Sequence, residues 1–463
     1  MSIEEALAYL GTLTNYEQAP KPTAMRAVRL ERMQRLCYLL GDPQRHFRSV
    51  LVTGTNAKGS ICAMVYSMLR QSRVRAGLYT SPHLESMRER IRAWTAGPAA
   101  RERAHGDDWI SQEEFAAVIE RVRQAIETIR GENPDQPPTY FEAMTAAAFV
   151  YFRQRQVEVA VLEVGLGGRL DATNIVQPAV AIIGPIDVDH AQVLGDEPAA
   201  IAREKAGIIK PGCHVITAPQ RDEVMPVLLA ACEAQGAPLF VCGQDVTATV
   251  QGHTLDGLEV SIAGFRGAYP SLQIPLIGRH QAQNAAMAVG ALELLSSTGI
   301  PHRLVEEGLA QVDWPGRLEV VNDAPLIIMD GAHNPHAAAA LVETLKELCP
   351  GRCAHLLIGM SWDKSPEPVG RLLGSLCASA TCTQSRHPRS MEAMELARQL
   401  GPFCPDVHVM SDPADAYTYL LNAVSPEDVI VVTGSLFLVG ELRAALRQAH
   451  VKTKRSGATQ LVG

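Results

Sequence analysis

Ser49-Val50-Leu51-Val52-Thr53-Gly54-Thr55-Asn56-Ala57-Lys58-Gly59-Ser60 is the stretch on which the fold turns. Ser49–Thr53 reads as a buried strand, and Ser60–Arg70 as a helix with Ile61, Met64, Val65, Met68 and Leu69 on one face. Between them lies a glycine-rich turn. A strand, such a turn and a helix N-terminus together offer backbone N–H groups to a phosphate. Lys58 adds a cation and Ser60 a hydroxyl for Mg²⁺. The strict phosphate-loop pattern is not met, because Ala57 precedes the lysine and Val52 holds the place of the first glycine. Taken alone, the segment fits a plain glycine-rich turn equally well.

Outward from this segment, strands alternate with helices. Val157–Val164 and Ala179–Ile183 are continuous apolar runs, as expected of strands covered on both faces. Residues 95–110 and 131–138 flank a helix at Gln112–Ile129 and read as surface insertions. From Val246 to Ile274 the pattern becomes short alternating strands. An Ala-rich helix follows from about His280 to Ser297, broken at Thr298-Gly299-Ile300-Pro301. A second alternation has strands at Leu326–Met329, Ala354–Gly359 and Asp428–Thr433. The expected fold class is α/β with mostly parallel sheets. A larger first domain (1–300) carries a small β subregion. A smaller α/β domain (301–463) follows, with a linker at about 300–317. Ligands of such sheets bind at the carboxyl ends of strands, and two domains offer the cleft between them.

Composition narrows the function. The chain has 463 residues, 47% of them apolar and 20% charged, which excludes disordered and collagen-like classes. The net charge of −8 and the 5% aromatic content argue against nucleic acid as the main partner. No apolar stretch reaches the length of a membrane span. The acidic start MSIEEALAYL does not resemble a signal peptide. The ten cysteines form no CxxC pair, so buried thiols in the cytoplasm are expected, rather than zinc ligands.

Three further motifs carry chemistry. In Leu162-Glu163-Val164-Gly165-Leu166-Gly167-Gly168-Arg169-Leu170-Asp171 a buried strand ends on an acid, then on glycines that allow close backbone approach. That acid needs a cationic partner, either Mg²⁺ or Arg169. Asp187-Val188-Asp189-His190 sets acids and an imidazole at the end of the next strand. Arg203-Glu204-Lys205-Ala206-Gly207 closes a short helix and, in isolation, reads as a solvated ion pair.

In order along the chain, GTNAKGS (54–60), TSPHL (80–84), ERIR (89–92), TYFEA (139–143), LEVGLGGRLDATN (162–174), DVDH (187–190), EKAGIIKPG (204–212), GRHQAQN (278–284), WPGRLE (314–319), MDGAHNPHA (329–337) and TGSLFLVGE (433–441) form a specific set. The chain resembles the folylpolyglutamate synthase/dihydrofolate synthase family of the Mur ligase superfamily. The resemblance implies a P-loop-type ATPase domain followed by a Rossmann-like domain. It implies an ATP-dependent ligase that joins glutamate to a pterin-bearing carboxylate through an acyl phosphate. Gly54, Thr55, Asn56, Ala57, Lys58, Gly59 and Ser60 would hold the ATP phosphates. Asn284, Arg317, Asp330 and His333 would also bind ATP. Ser60, Ser81, Glu163, His190 and Lys205, the last as a carbamate, would hold two Mg²⁺ ions, with K⁺ as a further candidate ion. Lys58, Lys205 and His190 would be catalytic. Phe141, Glu142 and Asp171 would lie near the pterin. The family suggests a monomer with small-molecule partners, a pterin or folate and L-glutamate, and with neither nucleic acid nor membrane.

Ala57, Pro185 and Asp187 depart from the family pattern beside the phosphate and metal positions. Two other readings stand beside the favoured one. A sister ligase would act on another carboxylate, and a non-catalytic homologue would only bind nucleotide. Lys58, Glu163, His190, Lys205 and Asp330 argue against the second.

Overall fold

The computed structural model describes residues 1–18, 30–72, 74–95, 106–187, 197–296 and 299–446. His190 and Asp189 lie outside the described residues, as do residues 96–105 of the expected insertion.

The first domain is built on β1 (Arg48–Thr53), β2 (Ala76–Tyr79), β3 (Ile91–Trp94), β4 (Val159–Glu163), β5 (Pro178–Ile183), β6 (His214–Thr217) and β7 (Leu239–Val241). They lie in the spatial order β3-β2-β4-β1-β5-β6-β7. All neighbours are parallel except β2 and β3. The continuous apolar runs follow from burial on both faces. Leu51 points into the core beneath the helix Tyr140–Gln154, and Val50 and Val52 point to the opposite side, beneath the helix Lys58–Gln71.

That second helix is buried on every side from Gly59 to Leu69, rather than along one face. The sheet covers one side, and the helices His280–Leu295 and His302–Ala310 cover the others. The helix His302–Ala310 lies in the stretch expected as linker. It packs so closely that a Cβ on Gly308 would fall 2.6 Å from Met68 Cα, and Ser67 Oγ donates to Gly308 O at 2.6 Å. Pro301 and the Trp314-Pro315-Gly316 turn mask this helix in the sequence.

The small β subregion is an antiparallel sheet of β8 (Thr247–Thr254), β9 (Gly257–Ala263) and β10 (Ala268–Ile274). The described end of the 95–110 insertion is not a surface loop. Trp109 bridges to Arg92, Ile110 is fully buried, and Asp108 pairs with Arg70 at 3.4 Å.

The second domain holds β11 (Glu319–Asp323), β12 (Leu326–Met329), β13 (Ala354–Ile358), β14 (Cys377–Cys382), β15 (Val407–Val409) and β16 (Val429–Thr433), in the order β11-β12-β16-β13-β14-β15. It too is parallel apart from one edge pair, β11 with β12. Among the described residues no helix is long and apolar enough to cross a membrane.

Candidate active site

Strand register brings the motifs together. Val52 lies opposite both Glu163 on β4 and Ile182 on β5. The Val164 N–H donates to Val52 O at 2.9 Å and the Gly184 N–H to Thr53 O at 2.7 Å. The turn after β1 therefore emerges between the turns after β4 and β5, at the carboxyl end of the sheet. The second domain closes over it. The cleft between them has a volume of about 1410 Å³ and is lined by both domains.

The turn itself is strained. Gly54 has φ 155° and Ala57 has φ 72°, in the left-handed region. An alanine there costs about 1–2 kcal/mol relative to glycine. Ala57→Gly is therefore expected to raise the unfolding free energy by up to about 1 kcal/mol once the greater freedom of glycine in the unfolded chain is subtracted. Denaturant melts check this, and an unfolding free energy at or below that of the parent would remove the strain account. Gly59 is needed for a different reason. A Cβ on it would lie 2.6 Å from the Trp314 ring, which roofs the start of the helix.

Lys58 curls back over the turn, its Nζ donating to Gly54 O at 3.0 Å and Thr55 O at 3.3 Å. Thr55 is anchored on the β5 side: its N–H donates to Pro185 O at 2.8 Å and its Oγ1 to Asp187 O at 2.8 Å. Pro185 thus serves through its carbonyl, which any residue supplies. The Asp187 carboxylate pairs with Arg221 at 2.8 Å. Ser60 is buried in the first helical turn. Asn56 reaches the second domain. Its Oδ1 accepts from Asn334 Nδ2 at 3.1 Å, and its Nδ2 contacts His336 Nδ1 at 3.2 Å.

Glu163 stands beside this turn, 6% exposed, and accepts the Ser81 N–H at 2.9 Å. Burial pushes its carboxyl above the ordinary range, and Lys58 is the largest influence drawing it back. Arg169, the alternative partner weighed for Glu163, is instead paired with Glu204 at 2.8 Å. Lys205 is therefore not half of a solvated ion pair. It is buried, and its Nζ donates to Gly54 O at 2.9 Å from behind the turn, not from the cleft.

The residues expected near the pterin all line the cleft, with different duties. Phe141 presents its ring edge to Gly165, where a Cβ would lie 2.5 Å away. Glu142 is fully engaged: Arg32 Nε donates to it at 2.8 and 2.9 Å, and the Thr139 N–H and Oγ1 donate at 2.7 and 2.8 Å. Asp171 staples the glycine-rich turn, accepting the Leu166 N–H at 3.0 Å and Thr173 Oγ1 at 2.6 Å.

From the other side come Asn284, Arg317, Asp330 and His333. Asn284 Nδ2 donates to Gln281 Oε1 at 2.9 Å. Asp330 accepts the N–H groups of Leu318 at 2.9 Å and Ala332 at 2.8 Å. Burial raises its carboxyl, with Arg317 the first opposing influence. His333 Nδ1 sits 2.8 Å from Gly331 O. Trp314, Asn334 and His336 were not assigned from the sequence. Of these only Asn334 carried a signal, as the Asn-Pro cap of the helix Pro335–Leu348.

Among the described residues no cluster of three or more His, Cys, Asp or Glu side chains could hold a metal ion. Of the expected ligands, Ser81 and Glu163 meet. They offer the hard oxygens that suit Mg²⁺.

A phosphate-type turn at the carboxyl end of a parallel sheet, with a second α/β domain seated on it, is the arrangement of a nucleotide-binding site. The Mur ligase middle domain matches residues 111–292, and the Mur ligase glutamate ligase domain matches residues 316–436. A dihydrofolate synthase/folylpolyglutamate synthase of Bacillus subtilis is 32% identical over 425 residues, 90% of this chain and 95% of that one. The Mycobacterium tuberculosis protein of the same name is 34% identical over 441 residues, 89% of each. The M. tuberculosis folylpolyglutamate synthase complexed with ADP and AMPPCP superposes with a TM-score of 0.86 at 32% identity, covering 96% of this chain and 98% of that one. The chain belongs to the folylpolyglutamate synthase/dihydrofolate synthase family of ATP-dependent ligases.

Proposed function

We propose that this chain joins the amine of L-glutamate to the carboxylate of dihydropteroate, of a reduced folate, or of both, with ATP activating the carboxylate as an acyl phosphate. One observation carries the reading. Thr55–Ser60 of the turn and the second-domain residues Arg317, Asp330 and His333 face one cleft beside Phe141. The resemblance to an Escherichia coli enzyme structure in complex with DHPP and ADP, at 29% identity and a TM-score of 0.83, supports a pterin acceptor.

The residues divide the work. The N–H groups of the turn and the Lys58 ammonium receive the triphosphate. Arg317 and Asp330 grip the nucleotide from the second domain, with Asn284 at its side. Phe141 supplies an aromatic face for the pterin ring. Ser60, Ser81 and Glu163, with His190, would hold Mg²⁺, and Lys205 would join them only as a carbamate released from Gly54 O. When bound, the metal offsets the charge that builds between carboxylate and phosphate. Closure of the domains shields the acyl phosphate from water. Domain 1–300 thus binds ATP and pterin, and domain 301–463 contributes the glutamate-ligase half. All cysteines but Cys353 are buried and none is paired, which fits a reducing cytoplasm. A monomer without nucleic-acid or membrane partners completes the reading.

Incubation with ATP, Mg²⁺ and L-glutamate, offering dihydropteroate or tetrahydrofolate, tests it. The expected product carries one added glutamyl residue by mass, with acceptor-dependent phosphate release. Phosphate release independent of both acceptors would overturn it.

A further inference from the structure

The turn that carries Ser81 is held from its far end by the other domain. Glu89, 7% exposed, gathers three successive N–H groups on its carboxylate: Leu84 at 2.7 Å, Glu85 at 2.8 Å and Ser86 at 2.5 Å. Three donors on one anion make the turn rigid. At one end of it, Ser81 N–H meets Glu163. At the other, Glu85 faces the second domain.

There Arg443 spreads its guanidinium over two partners. Its Nε donates to both Glu319 oxygens at 2.9 Å, and its Nη1 donates to Glu85 Oε1. Its side chain is only 8% exposed. Glu319 in turn accepts the Gly316 N–H at 2.8 Å, at the junction between the domains. The backbones are equally close. A Cβ on Gly440 would fall 2.0 Å from Leu84 O, and Leu84 packs against the cluster holding Leu438, Val439 and Leu442. An apolar cluster alone would stabilise the contact as well as a buried charge triad does. What the triad adds is a fixed register between three segments.

We propose that Arg443 is a positioning residue for ligation: it ties the seating of the second domain, through Glu85 and the Glu89-bound turn, to the presentation of Ser81 at Glu163. The inference rests on the reading above that Ser81 and Glu163 serve the phosphate end of the cleft.

Four variants test it: Arg443→Met, Arg443→Lys, Glu85→Gln and Ser81→Ala. Thermal melts, hydrogen exchange at residues 81–90 without ligand, and the kinetics of glutamate ligation are the readouts. Arg443→Met should lower kcat by about 10²-fold, with KM for the pterin acceptor within about twofold. It should also speed exchange at residues 81–90, although it lies in the other domain. Arg443→Lys, which keeps the charge and loses the fork, should fall between. Should Arg443→Met fail to fold, Glu85→Gln decides, since it keeps shape and acceptor and removes one charge. Folded Arg443→Met or Glu85→Gln with parental kcat and exchange would overturn the inference. If Ser81→Ala collapses turnover at the same time, the reading of the phosphate end survives and only the inference fails. Full turnover in Ser81→Ala would overturn both.

Discussion

Lys58→Ala is expected to lower ligase turnover by about 10²–10³-fold, the usual cost of removing one preorganised charge-stabilising donor. Lys58 Nζ sits over the turn on two backbone carbonyls, and under the proposed function it would turn from them to an incoming phosphate. It is also the largest influence opposing the rise that burial imposes on the Glu163 carboxyl. The variant therefore loses a cation from the turn and pushes that carboxyl further up. Stability should fall by about 1.5–3 kcal/mol, the net worth of hydrogen bonds made by a charged group. Single-turnover rates and melts on the same preparation separate the two effects. Near-parental turnover would end the phosphate-cradle reading.

Lys205→Ala is the second large effect, and its rescue pattern discriminates between two roles. A free lysine has a pKa near 10.4, so at neutral pH it is an ammonium with no lone pair for a metal. As an ammonium, Lys205 braces Gly54 O from behind the turn. As a carbamate it would be an anion with hard oxygens suited to Mg²⁺. Both roles predict that most activity is lost in Lys205→Ala. Only the carbamate role predicts partial recovery with added short-chain carboxylates and none in Lys205→Arg. Recovery in Lys205→Arg with no effect of carboxylates would assign the ammonium role. Full activity of Lys205→Ala would remove both.

Sequence carried much of this site because its parts are local. The Gly54–Ser60 turn, Glu163 at a strand end and the Ala-rich helix are each legible from a dozen residues. The strand Cys377–Cys382, reading CASATC, has too little apolar character to announce itself, and Ala76–Tyr79 is only four residues long. The helix His302–Ala310 hides between Pro301 and Trp314-Pro315. Pairings between distant segments left no trace either. Nothing in Asn56 says that Asn334 will meet it, or in Glu204 that Arg169 rather than Lys205 is its partner. Those depend on which loops the register of two sheets brings to one edge.

Trp314 lies on Gly59, and the helix before it is fastened to the same phosphate-turn helix through Gly308. The chain thus enters the second domain from a point pinned directly above the phosphate turn. In mechanical terms, any rotation of that domain about this point would be that of a lever whose fulcrum almost coincides with its load: the far edge would travel widely and the roof over the turn very little.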